Sequence, residues 1–135
     1  MNWEPTHPSK SGDIIRTKVS FYYHYGIFVS EDEVIQFGLP NDPGKQSDTI
    51  KVTVSDIYTF LAGGEIETAH PTRSETLKMR SKEQIVEIAR SRIGQGGYDI
   101  LHNNCEHFVN ECAFGTAKSS FLDAVRENLR KKLKK

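Results

Sequence analysis

Short hydrophobic runs, broken by turn-forming residues, occupy the first half of the chain. Pieces such as GLPNDPGKQSD and AGG separate the runs, and such pieces are typical of the turns between strands. The pattern predicts strands at Asp13–Thr17, His24–Val29, Val34–Phe37, Thr49–Val54 and Glu65–Ala69. Strands of this length joined by such turns indicate a small antiparallel sheet.

The hydrophobic period changes to a helical one in the second half. Ser81–Gln84 (SKEQ) has the form of a capping box, and the IVEIARSRI that follows carries Ile85, Ile88, Ala89 and Ile93 on one side before Gly94. A second helix is predicted to begin near Asn103 or Asn104, both good N-cap residues, and to end at Gly115. Strands followed by helices indicate the α+β class, with the sheet packed against helices.

The chain ends in a basic segment with apolar residues at helical spacing. FLDAVRENLRKKLKK predicts a third helix, and residues 116–135 hold seven Lys or Arg against two acidic residues. Two interpretations stay open for this helix. It either packs on the domain and ends in a solvated basic tail, or it lies on an anionic membrane surface as a peripheral contact.

Composition and charge narrow the function classes. Hydrophobic residues make up 36% and charged residues 27% of 135 residues, as in a single globular domain. The formal net charge is zero, so no general attraction to nucleic acid is expected. The sequence also lacks CxxC or HExxH metal spacing and a glycine-rich phosphate loop. We therefore expect no cofactor, no metal and no nucleic-acid partner.

The cysteines and the N-terminal sequence bear on the compartment. MNWEPTHPSKSGD lacks the apolar run of a secretion signal, and no window approaches the roughly 20 apolar residues of a membrane span. Cys105 and Cys112 on one helix would be about 10 Å apart, too far for a disulfide. Two free thiols without an export signal predict a cytoplasmic protein.

Cys105 is the candidate nucleophile. With Asn104 as the N-cap it lies in the first helical turn, where unpaired N–H groups and the helix dipole favour a thiolate. The alternative is a buried small hydrophobic residue, and position alone does not decide between them. Cys112 continues the apolar stripe near the other end of the helix, so we interpret it as a core residue.

Five histidines compete for the role of base. His7 and His70 precede prolines, His102 lies on the loop before the helix, and His107 points about 200° around the helix from the cysteine. His24 instead opens the apolar strand HYGIFV, a rigid element from which an imidazole can be aimed. The alternative is an ordinary half-buried strand residue.

An imidazole that acts as base is normally held by a third polar group, and Gln36 is the candidate. It is the uncharged polar residue of the next apolar run, EVIQFG. A three-residue loop would pair Val29 with Glu33. Gln36 then lies opposite Gly26, on the face that carries His24. A four-residue loop would turn Gln36 to the other face, and a water-facing edge residue is the alternative.

At this point the chain resembles a known family. HYGIFVSEDEVIQFG and NNCEHFVNECAFG resemble the two signature segments of the lecithin:retinol acyltransferase family, which includes the HRAS-like suppressor phospholipases and sits within the NlpC-type, permuted papain-like thiol enzymes. The intervening VSDIYTFLAGGEIE and IVEIARSRIG fit the same layout. The resemblance runs from about Gly12 to Gly115, which we take as the core of a single domain, 1–135.

The resemblance implies a permuted papain-like fold in which Cys105 is the nucleophile and His24 the base. Eukaryotic members usually place a second histidine twelve residues after the first, and this chain has Gln36 there. The implied activity is acyl transfer or acyl hydrolysis through a thioester on Cys105. A phospholipid or another lipid ester is the implied acyl donor, and water, an alcohol or an amine is the acceptor.

Two other functions remain open beside this one. A cysteine peptidase or amidase of NlpC type would use the same cysteine and histidine, although cell-wall substrates lie mostly outside the cytoplasm. A non-catalytic interaction module would keep the fold, and the Gln36 replacement favours it. Intact Cys105 and His24 argue against that reading, because a degenerate site usually loses its nucleophile.

Overall fold

The computed structural model describes residues 1–5, 9–40, 42, 47–99 and 104–115. The helix predicted over residues 116–135 lies outside these ranges, as do His7 and His102. None of the helices in the described ranges has the length and apolar character that a membrane span requires.

Six strands of the described residues form one antiparallel sheet in the order β1-β6-β2-β3-β4-β5. They are β1 Asn2–Glu4, β2 Ile14–Val19, β3 Tyr22–Ser30, β4 Glu33–Phe37, β5 Val52–Ser55 and β6 Glu67–His70. The five predicted strands are confirmed, although β5 begins later than expected because Ser47–Thr49 forms a 3₁₀ helix. The pattern missed β1, whose three residues are too few to show alternation.

Four α-helices accompany the sheet in the part of the chain that the structure describes, namely α1 Ile57–Leu61, α2 Arg73–Lys78, α3 Lys82–Ser91 and α4 Cys105–Phe114. The predicted capping box of α3 is present, with Ser81 and Gln84 bonded reciprocally. The two of the three predicted helices that fall in the described residues are confirmed as α3 and α4, and together with the sheet they make an α+β fold. Helices α1 and α2 were not predicted from the sequence, because with 5 and 6 residues they are too short to show a helical period.

One detail of the α3 prediction is wrong. Ile93 was expected on the buried side, but its exposed fraction is 46%. The helix ends at Ser91, and the chain then turns through Gly94 at φ 91°, a conformation that favours glycine. Ile93 therefore lies beyond the last turn and does not continue the apolar stripe.

The two faces of the sheet pack against different helices. One apolar cluster contains Ile27, Phe37, Ile85 and Phe108, and so joins the sheet to α3 and α4. A second, smaller cluster on the other face joins Phe28 and its neighbours to α1 through Ile57 and Phe60. Because residues of β3 alternate between faces, this strand contributes to both clusters.

The turn between β3 and β4 differs from the predicted one, yet it gives the predicted register. Ser30 pairs with Glu33 across a two-residue loop, so neither the three-residue loop, which would pair Val29 with Glu33, nor the four-residue loop is present. A bulge between Phe28 and Ser30 takes up the extra residue, and Ile27 pairs with Ile35. Continuing that register puts Gln36 opposite Gly26, as the three-residue loop would have done.

We expect Gly26→Ala to destabilise the fold by about 1–3 kcal/mol, since the added methyl overpacks a filled space. A Cβ at this position would lie 2.7 Å from Phe60 Cε1 and 3.2 Å from Val34 Cγ1. The free energy of unfolding in urea measures the change. Gly96→Ala is the matched control, because its Cβ would meet only Lys51 Nζ at 3.4 Å. Equal stability of the two variants would contradict the packing described for Gly26.

Candidate active site

Helix α4 begins at Cys105 because Asn104 closes a capping box with His107. Asn104 Oδ1 accepts the backbone N–H of His107 (3.0 Å), and His107 Nδ1 accepts the backbone N–H of Asn104 (3.0 Å). Since Nδ1 accepts, the ring proton of His107 is on Nε2. The sequence analysis excluded His107 as the base and predicted no other role for it. Its capping role was hard to foresee, because Glu or Gln normally occupies that position of a capping box.

The thiol of Cys105 meets β3 at the residue beside His24. Its Sγ lies 4.0 Å from the carbonyl oxygen of Tyr23. The backbone N–H of Phe28 donates to Asp13 (2.9 Å), so the even-numbered residues of β3 direct their backbone groups at β2. Tyr23 therefore directs its carbonyl at the opposite edge of β3. The start of α4 lies along that edge, roughly in the plane of the sheet.

The edge of β3 is open at this point for a simple reason. Within the described ranges, β3 pairs with β4 only from Ile27 onward, whereas its pairing with β2 extends back to Tyr22. The first half of β3 consequently has backbone groups that no neighbouring strand of those ranges occupies. Cys105 fits into this gap with an exposed fraction of 7%.

His24 and Gln36 are brought together as the sequence predicted. His24 Nε2 lies 2.9 Å from Gln36 Oε1, and both side chains are buried, with exposed fractions of 1% and 0%. The amide group of Gln36 donates through Nε2 to Ser55 Oγ (2.7 Å) and to the carbonyl of Val34 (3.3 Å). A carbonyl oxygen only accepts, so the amide nitrogen must face Val34 and the amide oxygen must face His24.

This orientation decides where His24 carries its proton. An amide oxygen only accepts hydrogen bonds, so His24 Nε2 donates and bears the hydrogen. The lone pair of the neutral ring is then on Nδ1, and Nδ1 is the nitrogen available to act as a base. The ring also packs on Phe60 of α1, with 5.0 Å between ring centroids, which limits its rotation.

Burial controls the charge states of both groups. It lowers the pKa of His24 to about 4, although the Gln36 hydrogen bond and the Asp42 carboxylate act in the opposite direction. It also raises the pKa of Cys105 to about 11, although backbone N–H groups of Tyr25 and of the helix start lower it. Both groups are therefore neutral at pH 7. Position alone left two interpretations of Cys105 open, and the raised pKa favours the neutral thiol over the thiolate, because desolvation outweighs the helix dipole.

Cys112 has the role that the sequence predicted. It is fully buried in the cluster between the sheet and the two long helices, and burial raises its pKa to about 11. Both cysteines are free, as the helical spacing required. Cys112 is therefore a core residue.

A cleft of about 390 Å³ lies on the α4 side of the sheet, but neither Cys105 nor His24 lines it. Glu106, the next residue of α4, lines it together with Tyr25, the next residue after His24. Trp3, Ile14, Val109 and Phe114 add apolar surface, while Arg16 and Lys78 add charge. In the part of the chain that the structure describes, no group of three or more His, Cys, Asp or Glu side chains could hold a metal ion.

We expect the stability of the protein to fall as the pH drops from 7.5 to 5. The unfolded His24 protonates near pH 6.5, whereas the folded residue resists protonation until about pH 4, so acid favours unfolding. The contribution of His24 to this loss is about 2 kcal/mol. Urea unfolding at the two pH values measures it. His24→Asn should show a smaller pH dependence by that amount, and an unchanged dependence would contradict the neutral buried imidazole.

Comparison with known proteins agrees with this architecture. The family model described as "Lecithin retinol acyltransferase" matches residues 7–118. The chain is 28% identical over 139 residues to Lecithin retinol acyltransferase of Bos taurus, which covers 88% of this chain and 60% of that protein. The chain thus spans about 60% of the length of that relative.

Two human relatives carry a different name. Phospholipase A and acyltransferase 3 of Homo sapiens is 26% identical over 132 residues, covering 91% of this chain and 80% of the relative. Phospholipase A and acyltransferase 4 of Homo sapiens is 25% identical over 131 residues, covering 90% and 80% respectively.

Proposed function

The chain belongs to the lecithin retinol acyltransferase family, and on that premise we propose that it is a thiol-dependent acyltransferase or acyl hydrolase. Cys105 is the nucleophile, His24 the base and Gln36 the residue that orients the base. The observation that carries the proposal is the 2.9 Å bond between His24 Nε2 and Gln36 Oε1, which leaves Nδ1 basic on a strand that the Cys105 thiol contacts.

The first half of the reaction transfers an acyl group to sulfur. Nδ1 of His24 takes the thiol proton while Sγ of Cys105 attacks the ester carbonyl, so the C–S bond forms as the S–H bond breaks. The imidazolium then gives this proton to the leaving alkoxide as the C–O bond breaks, and an alcohol departs. Gln36 Oε1 stabilises the imidazolium through the bond to Nε2–H.

The second half returns the enzyme to its resting state. Nδ1 takes a proton from water, an alcohol or an amine, and the acceptor attacks the thioester carbonyl. The C–S bond then breaks, and the proton returns from the imidazolium to the sulfur. In both halves the backbone N–H of Cys105, in the first turn of α4, is one proposed donor to the carbonyl oxygen as it becomes negative.

A neutral resting pair suits this sequence of steps. Charge appears on His24 and on the substrate oxygen only in the transition state, where the Gln36 amide and the helix N–H groups are already in place. No reorganisation of those groups is needed at the moment of reaction. The proton transfer is general base catalysis and does not begin from a thiolate–imidazolium pair.

A lipid ester is the proposed acyl donor. The relatives are named for a lecithin substrate and for phospholipase A activity, and both names describe lipid esters. A location in the cytoplasm, peripheral to a membrane surface, is part of the same proposal, and so is the permuted papain-like order of base strand before nucleophile helix.

We expect wild-type protein incubated with short-chain phosphatidylcholine to gain the mass of one acyl group. Intact-protein mass spectrometry measures the adduct, which Cys105→Ala should lack because it has no sulfur to acylate. His24→Ala should acylate at least about 100-fold more slowly, since the thiol loses its base.

Cys112→Ala is the matched control, because it removes the other thiol and should still acylate. An adduct that persists in Cys105→Ala would contradict the assignment of the nucleophile. Complete absence of both adduct and released fatty acid, with folded and reduced wild-type protein, would contradict the lipid ester donor.

A further inference from the structure

Three hydrogen bonds of defined direction lead from the backbone of α1 to His24. The hydroxyl of Ser55 donates to the carbonyl of Asp56 (2.9 Å), and this uses its single hydrogen. Ser55 Oγ can then only accept from Gln36, whose Nε2 lies 2.7 Å away. With its nitrogen held at Ser55, Gln36 presents its oxygen to His24.

We propose that Ser55 is a positioning residue that fixes the tautomer of His24 through the amide of Gln36. The chain of bonds has only one consistent direction, because it begins at a carbonyl that cannot donate. It ends with hydrogen on Nε2 of His24 and the lone pair on Nδ1. The proposal extends the proposed function, since that function needs the lone pair on Nδ1.

The segment that carries Ser55 is rigid enough for this role. Ser55 is the last residue of β5 and pairs with Val34 of β4, two residues before Gln36. The next residue, Asp56, caps α1 by accepting the backbone N–H of Thr59 on its side chain (2.7 Å). The same short helix supplies Phe60, whose ring packs on the imidazole. Residues 55 to 60 therefore hold His24 in two ways. Ser55 acts on one ring nitrogen through the amide of Gln36, and Phe60 packs on one face of the ring.

Loss of the Ser55 hydroxyl leaves the amide of Gln36 weakly held. Its remaining bond, to the Val34 carbonyl, is 3.3 Å long. A rotated amide would present N–H hydrogens to His24 Nε2, which must then give up its own hydrogen and accept. The ring proton would move to Nδ1, and the nitrogen needed as the base would be blocked.

The test compares Ser55→Thr with Ser55→Val, two side chains of the same shape of which only threonine keeps a hydroxyl. Proton-detected nitrogen NMR of histidine-labelled protein reports the tautomer of each ring, and His24→Gln identifies the signals of His24. We expect the Nε2–H form alone in wild type and Ser55→Thr. A substantial Nδ1–H population is expected in Ser55→Val and in Ser55→Ala, which serves as a second, less bulky variant.

Ser91→Ala is the matched control, because it removes a hydroxyl that also donates to a backbone carbonyl, that of Ile88 in α3 (2.6 Å), and that takes no part in the bonds to Gln36. It should keep the Nε2–H form. Folded Ser55→Val and Ser55→Ala that both retain the wild-type tautomer would overturn the proposal. Failure of both variants to fold, with Ser55→Thr folded, would overturn it too, since the hydroxyl would then serve stability first.

The rate of acyl transfer is a second measurement, independent of the tautomer. We expect kcat/KM for acyl transfer to fall about 10- to 100-fold in Ser55→Val and to be restored in Ser55→Thr. The tautomer is measured without substrate, so the two ideas can fail independently. A tautomer that depends on Ser55 in a protein without acyl transfer would leave this inference standing and defeat the proposed function.

Discussion

The burial of an imidazole and an amide side by side, away from water, constrains the rest of this structure. A buried polar group without a partner costs several kcal/mol, so His24 and Gln36 must satisfy each other and their neighbours. Each hydrogen bond between them and their neighbours has a defined donor and acceptor, and Phe60 and Gly26 close the space around them. The bulge in β3 matters for the same reason, because without it Gln36 would face the other side of the sheet. The loop between β3 and β4 is one residue shorter than the three-residue loop considered from the sequence, yet the pairing inside the sheet is the same.

The same burial determines the charge of the Cys105 thiol. A cysteine at a helix start is exposed to N–H groups and a favourable dipole, and in water those would yield a thiolate. Here Cys105 lies almost out of contact with water, and the cost of a buried charge is the larger effect. A neutral thiol is also a poor target for oxidants, because oxidation requires the thiolate. In the proposed mechanism, the nucleophile is therefore protected from oxidants in its resting state.

Much of the fold follows from the sequence, and the failures have identifiable causes. The caps at Ser81 and Asn104 are local chemistry, so the starts of both long helices could be predicted, although α3 ends at Ser91, before the predicted stop at Gly94. The antiparallel strands follow from hydrophobic runs, but β1 is too short to form a pattern and depends on long-range contacts, namely its pairing with β6 and the packing of Trp3 on Tyr25. The register across a turn depends on bulges, and the residue types at the turn do not predict where a bulge occurs. The contact between His24 and Gln36 was nevertheless predictable, because period-two alternation fixes the face of each strand residue.

The charge on Cys105 could not be predicted in this way, since it depends on how much water the folded chain excludes. The central claim is that the resting site pairs a neutral thiol with a neutral imidazole, and it can be measured directly by the ultraviolet absorbance of the thiolate during a pH titration. The difference between wild type and Cys105→Ala isolates this one thiol. The account predicts no thiolate signal from Cys105 below pH 8, with ionisation appearing only in alkaline solution near pH 11. A thiolate step in acid solution that disappears in Cys105→Ala would show a resting ion pair with His24 and would contradict the account.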